Sequence, residues 1–229
     1  MTAPGPRPRT EGVPSLWGDG DDGSVLVWRL ASPRLVASSA PLGGGVGVRH
    51  WIVNAQVPLD YGRLDPAAHL ADIAGRAGLM GEGVGMLTAA DVRALQRTAD
   101  GGVRVDATVG ITHPTWAADG DPEDADAAAG ATGVEAPAGT INIVASIPAR
   151  LADAAIVNAV ATVAEAKAQA LWDAGIGATG TASDAVCLVT ALDGPSAAFG
   201  GPRSTWGARL ARAVHRAVLA GCRAEAGRA

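Results

Sequence analysis

Residues 139–172 read GTINIVASIPARLADAAIVNAVATVAEAKAQALW, and the rest of the chain is arranged around them. A short apolar run, interrupted by Asn142, leads through Ile147-Pro148 into the longest helical pattern in the chain. A buried strand followed by a long amphipathic helix is typical of α/β proteins. The sequence therefore predicts a single α/β domain with a mixed β-sheet packed by two long helices, and it leaves the strand order open.

Two charged residues of the predicted central helix, Glu165 and Lys167, fall on different sides of it. Lys167 is the only lysine of a chain that otherwise uses arginine. At about 100° per residue, Glu165 shares a polar stripe with Asn158, Thr162 and Gln169, whereas Lys167 lies opposite, among apolar residues. Lys167 therefore either extends past its neighbours to water, the commoner outcome, or is partly buried with a lowered pKa.

The other β-rich runs and helical patterns surround this stretch. The predicted strands are 24–30, 34–40, 50–57, 83–90, 103–112, 141–147 and 184–192. The first two flank Ser32-Pro33 and predict a hairpin. The alternation in 103–112 indicates an edge-exposed strand, whereas the continuous apolar runs at 141–147 and 185–192 indicate central strands. Helical patterns begin at Pro66, after residue 90 as a brief patch, and near the C-terminus.

Two segments lack the patterns of a packed domain. Residues 1–22, rich in Pro, Gly and Asp, predict a mobile tail in which only Leu16 and Trp17 could dock. Residues 118–138 are acidic, rich in Ala and Gly and without periodicity, so they predict a flexible surface insertion. The domain itself is expected over residues 23–224.

Composition narrows the class of protein. The net charge of −5 argues against a nucleic-acid-binding surface, and no apolar run reaches the length of a membrane span. The N-terminus has no secretory pattern, so the cytoplasm is the simplest expectation. No GxxxxGK[ST], HExxH, CxxC or GxSxG motif occurs, which removes the common nucleotide, zinc, redox and hydrolase signatures.

Polar residues gather where the predicted strands end or break. They are Asn54, Thr88, Asp106, Thr108, Thr140, Asn142, Thr179, Thr181 and Asp184. In α/β folds such positions commonly hold ligands, because a rigid sheet presents them next to flexible loops. Glycines 43–47, including Gly45 and Gly47, suit a close approach of backbone to a strand or ligand. His113 follows a strand and could act as a general base or simply hydrogen-bond its own loop.

Several segments, in this order, resemble the adenosylcobinamide amidohydrolase family of the CbiZ type. They are PLGGGVGVRHWIVNAQV, GMLTAADV, VDATVGITHP, GTINIV, TVAEAKAQAL, GATGTASDAV and TWGARLARAV. The resemblance covers about residues 38–220, without the tail and the acidic insertion. It departs from the family at His113, where an asparagine is frequent.

This resemblance implies hydrolysis of the amide that joins adenosylcobinamide to aminopropanol, giving adenosylcobyric acid in corrinoid salvage. The partner is then a small corrinoid, no cofactor is expected, and a metal ion stays open. As hypotheses, Glu165 or Asp184 acts as the base, Asn142 and Asn54 donate to the oxyanion or to corrin amides, and Lys167 gives electrostatic help. The Asn142 strand end together with the Glu165 face is favoured for the chemistry.

Two alternatives stay open. In the first, the chain cleaves itself between Gly139 and Thr140 and uses Thr140 as an N-terminal nucleophile, whose own amine is the base. In the second, the protein binds corrinoids without hydrolysing them.

Overall fold

A computed structural model of the chain describes residues 13–18, 23–120 and 139–227. The strands are β1 Ser15–Trp17, β2 Val25–Ser38, β3 Gly45–Gln56, β4 Gly83–Thr88, β5 Gln96–Asp100, β6 Val103–Val109, β7 Ile141–Ser146, β8 Arg150–Leu151, β9 Ala185–Thr190 and β10 Ser196–Ala197. The α-helices of the described residues are α1 Pro66–Arg76, α2 Asp153–Asp173 and α3 Thr205–Ala226. A mixed sheet packed by long helices is thereby confirmed.

The main sheet runs in the order β4-β3-β2-β9-β7-β6-β5, with β1 added to β2. The β3–β4 and β7–β9 pairs are parallel, and the remaining pairs of this sheet are antiparallel. Strands β8 and β10 form a separate parallel pair. The central position of β7 and β9, predicted from their continuous apolar runs, is confirmed.

The sheet folds over on itself, because strands far apart in its order touch through their side chains. Asn54 of β3 bonds Asn142 of β7, and Trp28 of β2 bonds Asp106 of β6. An apolar layer that includes Ile52, Met86, Val144 and other buried side chains fills the space between the two halves. Each half therefore has an inner face toward the other half and an outer face toward helices.

Helices cover both outer faces. Leu70 and Ile73 of α1 pack on Val53 and its neighbours, and α2 and α3 pack on the alternate residues of β6, β7 and β9. Pro66 at the start of α1 and the Ser204 cap of α3 are the start signals expected for helices. The order of layers is thus α1, one half of the sheet, the other half, then α2 and α3.

The hairpin predicted around Ser32-Pro33 is wrong. Residues 25–38 form one strand that pairs with β3 through Val25–Arg29 and again through Arg34–Ser38, with a register shift between the two stretches. Proline has no backbone N–H to donate, but an irregularity in a strand tolerates this loss, and the chain keeps its direction. Local sequence shows the break in the pattern but not whether the chain reverses there.

Two further predictions are corrected. Strand β6 lies between β5 and β7, so it is not an edge strand, and of its polar residues Asp106 and Thr108 are buried against the other half of the sheet, whereas Arg104 is exposed. The helical patch after residue 90 is only a 3₁₀ turn, Val92–Ala94, followed by β5. Residues 15–17 of the predicted tail pair with β2. Parts of both predicted segments lie outside the described residues. These are residues 1–12 and 19–22 of the tail and residues 121–138 of the insertion.

Candidate active site

A buried network of amides and hydroxyls joins the inner faces of the two halves of the sheet. The Asn142 amide nitrogen donates to the Asn54 side-chain oxygen at 2.9 Å and to the Leu87 carbonyl at 2.8 Å. Asn54 in turn donates to the Thr108 hydroxyl at 2.9 Å. We call Asn54, Thr108 and Asn142 the asparagine network. All three are buried, so their mutual hydrogen bonds replace those lost to water.

A second group of polar residues lies where β7 and β9 begin, and its centre is the Asp184 carboxylate. One oxygen accepts from the Ile141 backbone at 2.8 Å and lies 2.6 Å from the Thr181 hydroxyl, whose single hydrogen it shares with the Gly139 carbonyl. The other accepts from the Thr181 backbone at 3.0 Å and from the Lys167 ammonium. Each oxygen thus lies within hydrogen-bond distance of two donor groups, and three of the four have a hydrogen that no other acceptor shares.

Lys167 is brought to Asp184 by helix α2, and its side chain is only 15% exposed. The structure therefore shows the partly buried arrangement, with Asp184 as counter-ion. Gly180 packs directly against this ion pair, since a Cβ there would collide with the Lys167 nitrogen and an Asp184 oxygen. The loop before β9 can thus contact the pair only through backbone.

The Gly139 carbonyl and the Thr140 hydroxyl complete this group. The carbonyl oxygen accepts from the Thr181 hydroxyl at 2.6 Å and the Ser183 hydroxyl at 3.1 Å. The hydroxyls of Thr140 and Ser183 lie 2.7 Å apart. We call Gly139, Thr140, Lys167, Thr181, Ser183 and Asp184 the strand-end cluster. Ser183 is exposed, so the cluster reaches the protein surface there.

The two groups form one site. The Asn142 side-chain oxygen accepts from the backbone of Ala185, the residue after Asp184, at 3.2 Å. The Gly110 N–H donates to the Thr140 carbonyl at 3.0 Å, which extends the β6–β7 ladder to Thr140. Thr140 and Asn142 are two positions apart, so their side chains point to the same face, with Cα atoms about 7 Å apart.

Glu165, favoured from the sequence as a base, does not join this site. Its side chain is exposed, and it makes no hydrogen bond or ion pair with any described residue. The prediction that Glu165 and Lys167 face different ways is confirmed. The structure brings Lys167, rather than Glu165, to the Asn142 end of β7.

Other residues singled out from the sequence have separate surroundings. Asp106 is ion-paired with Arg97 and accepts from Trp28 at 2.7 Å, so its carboxylate supports the packing of β5 and β2. Thr88 is buried at the end of β4, where its hydroxyl accepts from Ala90. Gly45 and Gly47 lie at the opposite end of β3 from Asn54.

His113 and Thr179 belong to the loops near the strand-end cluster. His113 is exposed. Thr179 accepts from the Ala117 backbone at 2.8 Å, and Thr115 bonds the backbone of Gly180, so residues 115–117 lie beside the loop that carries Gly180 and Thr181.

Ser183 is the site residue that sequence reasoning missed. It lies between Thr181 and Asp184 in the segment TASDAV, where a serine on a polar loop has no distinguishing pattern. The sequence feature that could have identified Ser183 is its position one residue before Asp184, within a segment that carries the family resemblance.

Among the described residues there is neither a metal-binding cluster nor a membrane-spanning helix. No three side chains among the His, Cys, Asp and Glu residues of this part of the chain group closely enough to hold a metal ion. None of its helices has both the length and the apolar character needed to cross a membrane.

Comparison with known proteins assigns the chain to a family. The sequence pattern of the adenosylcobinamide amidohydrolase family, CbiZ, matches residues 18–229. The chain belongs to this family. An adenosylcobinamide amidohydrolase of Methanosarcina mazei is 29% identical over 194 residues, which are 81% of this chain and 88% of that protein.

Two further similarities were found. An adenosylcobinamide amidohydrolase of Halobacterium salinarum is 39% identical over 120 residues, or 52% of this chain and 50% of that protein. A solved β-aminopeptidase of Burkholderia sp. superposes with a TM-score of 0.43 at 16% identity, covering 92% of this chain and 82% of its own.

Proposed function

We propose that this protein hydrolyses the amide of adenosylcobinamide, giving adenosylcobyric acid and aminopropanol in corrinoid salvage. The family supplies the substrate class, because both curated relatives carry the name adenosylcobinamide amidohydrolase. The observation that carries the proposal is the arrangement at Gly139, whose amide carbonyl lies between two hydroxyl donors and beside a third hydroxyl. Amide hydrolysis needs such donors, because negative charge develops on the carbonyl oxygen in the transition state.

The hydrogen bonds restrict which residue performs which step. Asp184 already accepts from the Ile141 and Thr181 backbones and from Lys167, so it is a positioning residue that holds β7 against the loop of Thr181. Asn142 uses both amide hydrogens within the protein. Asn54 donates one hydrogen to Thr108, and among the described residues its second has no acceptor. Thr181, Ser183 and Asn54 are therefore the donors we assign to the oxyanion or to corrin amides.

Lys167 contributes positive charge beside these donors. Its ammonium compensates the Asp184 carboxylate, so that the site does not present an uncompensated negative charge to a developing oxyanion. The loops that carry His113 and Thr179 are proposed to contact the corrin ring. We propose no cofactor for the reaction. Turnover that survives dialysis against a chelator supports this, whereas loss restored by a divalent ion would contradict it.

The test is a product assay. The purified protein is incubated with adenosylcobinamide and, separately, with the non-adenosylated corrinoid, and the products are separated by chromatography. Formation of adenosylcobyric acid together with free aminopropanol is expected. Tight corrinoid binding without product would instead support a binding protein and would overturn the hydrolase proposal.

A further inference from the structure

The Gly139–Thr140 peptide bond is itself an amide held inside the site proposed for amide hydrolysis. Its carbonyl oxygen accepts hydrogen bonds from Thr181 and Ser183, and the hydroxyl of Thr140 lies next to Ser183. Thr140 is only 4% exposed and its nitrogen belongs to the peptide bond. In the intact chain, the Gly139 carbonyl therefore occupies the position between the donors that a substrate carbonyl would need.

The direction of the hydrogen bonds follows from the number of hydrogens. Each hydroxyl carries one hydrogen. When the Ser183 hydrogen is on the Gly139 carbonyl, at 3.1 Å, Thr140 donates and Ser183 accepts in the 2.7 Å contact between their hydroxyls. The result is a continuous path from the Thr140 hydroxyl, through Ser183, to the oxygen of the carbonyl that precedes Thr140.

We propose that the chain cleaves its own Gly139–Thr140 bond and that the freed Thr140 is the nucleophile of the hydrolase. This inference rests on the proposed function, because it supplies the nucleophile that the intact site lacks. Asp184 and Asn142 have their hydrogen-bonding groups engaged, and Glu165 lies outside the site. A threonine at a new N-terminus has its α-amine as an adjacent base.

The cleavage consumes one water molecule in total. The Thr140 oxygen attacks the Gly139 carbonyl carbon while its proton passes through Ser183 to the carbonyl oxygen. The resulting tetrahedral centre expels the Thr140 nitrogen, which takes up that proton, and leaves Gly139 as an ester on the Thr140 oxygen. Water then hydrolyses the ester, so that Gly139 gains a carboxyl group and Thr140 regains its hydroxyl with a free α-amine.

The fold tolerates this break. Residues up to 139 contribute β6, and residues from 140 contribute β7, which pairs with β6 and with β9 in the middle of the sheet. The two fragments therefore share one sheet and stay associated after cleavage. The cut lies before β7, which begins at Ile141, so no strand or helix of the described residues is divided.

The experiment is intact mass analysis of the purified full chain, with N-terminal sequencing. We expect two species, residues 1–139 and 140–229, that elute together on size exclusion, the second beginning TINIV. Thr140→Val should give one full-length species without turnover, whereas Thr140→Ser should still be cleaved. Ser183→Ala should slow cleavage by roughly 10²- to 10³-fold, the usual loss for one oxyanion donor. Thr205→Val, at an exposed threonine at the start of α3, should be cleaved like the wild type.

The outcomes separate this inference from the proposed function. A wild-type protein that stays full-length while it hydrolyses adenosylcobinamide overturns self-cleavage and leaves the hydrolase intact. A protein cleaved before Thr140 without turnover supports self-cleavage and overturns the hydrolase. Cleavage at the same bond in folded Thr140→Val would show that another protease makes the cut, and would overturn the inference as well.

Discussion

Lys167 forms an ion pair with Asp184, and the backbone of Gly180 packs against the same ammonium nitrogen. This relationship explains why the only lysine of an arginine-using chain stands at this position. A compact ammonium fits against the Gly180 backbone, whereas a planar guanidinium is wider and has no room there. The charge alone would be supplied equally well by arginine.

The first prediction concerns this shape. Lys167→Arg keeps the charge but should displace Gly180 or break the contact with Asp184, so turnover of adenosylcobinamide should fall by at least about tenfold, as for a misplaced site residue. Arg212→Lys is the matched control, because Arg212 pairs with Asp100 on an exposed surface. Steady-state rates of both variants check the prediction, and full activity of Lys167→Arg would contradict it.

The second prediction tests the charge of the same pair. Lys167→Met leaves the largely buried Asp184 carboxylate without its counter-ion, which should lower the free energy of unfolding by about 3 kcal/mol. Adding Asp184→Asn removes that charge, so the double variant should lose less stability than the two single changes summed. Urea unfolding of all four proteins gives the coupling energy. Strict additivity would show that the pair is not coupled.

The third prediction concerns close packing. Gly180→Ala places a methyl group against the Lys167–Asp184 ion pair. The φ angle of Gly180 lies outside the left-handed region, so any effect comes from this collision and not from backbone strain. We expect loss of turnover with a folded protein. Gly75→Ala, in helix α1 with open space around it, should leave turnover unchanged and stability equal or higher by about 0.5–1 kcal/mol. Wild-type rates for Gly180→Ala would refute the geometry.

The fourth prediction concerns the asparagine network. In Asn142→Asp the carboxylate cannot donate to Asn54 and Leu87, so two buried acceptors lose their partner and the free energy of unfolding should fall by at least about 1–3 kcal/mol. Asn158→Asp, on the exposed side of α2, is the control and should change stability by less than about 0.5 kcal/mol. Denaturant titration measures both, and equal effects would disprove a special role for the network.

The fifth prediction is a pH dependence away from the site. Hydrogen bonds from Arg212 and then Arg216 lower the pKa of Asp100 from its usual 3.8 to about 2. Because the folded-state pKa is the lower one, this carboxylate contributes stability above pH 3.8 that is lost as the pH falls toward 2. The stability difference between wild type and Asp100→Asn should therefore shrink between pH 5 and pH 2. A difference that stays constant over this interval would contradict the ion-pair contribution.

Glu165 shows what helical periodicity can predict about a residue and what it cannot. Helical periodicity correctly separated Glu165 from Lys167, because the angle per residue is a local property of any helix. Periodicity could not show which side of α2 faces the site. It therefore favoured Glu165, rather than Lys167, as the partner of the Asn142 strand end. That choice depends on where α2 packs on the sheet, which is not encoded within the helix.

The sequence by itself determined the family, the α/β class, the helices α1, α2 and α3, and the central strands β7 and β9. These follow from local periodicity, start and stop signals, and the order of matching segments. Only the tertiary structure decided that residues 25–38 form one strand, that the sheet folds over, and that Asn54 meets Asn142. It also brought Ser183 and Lys167 to the bond between Gly139 and Thr140, because such contacts depend on the order of strands and the faces of helices, which no local pattern contains.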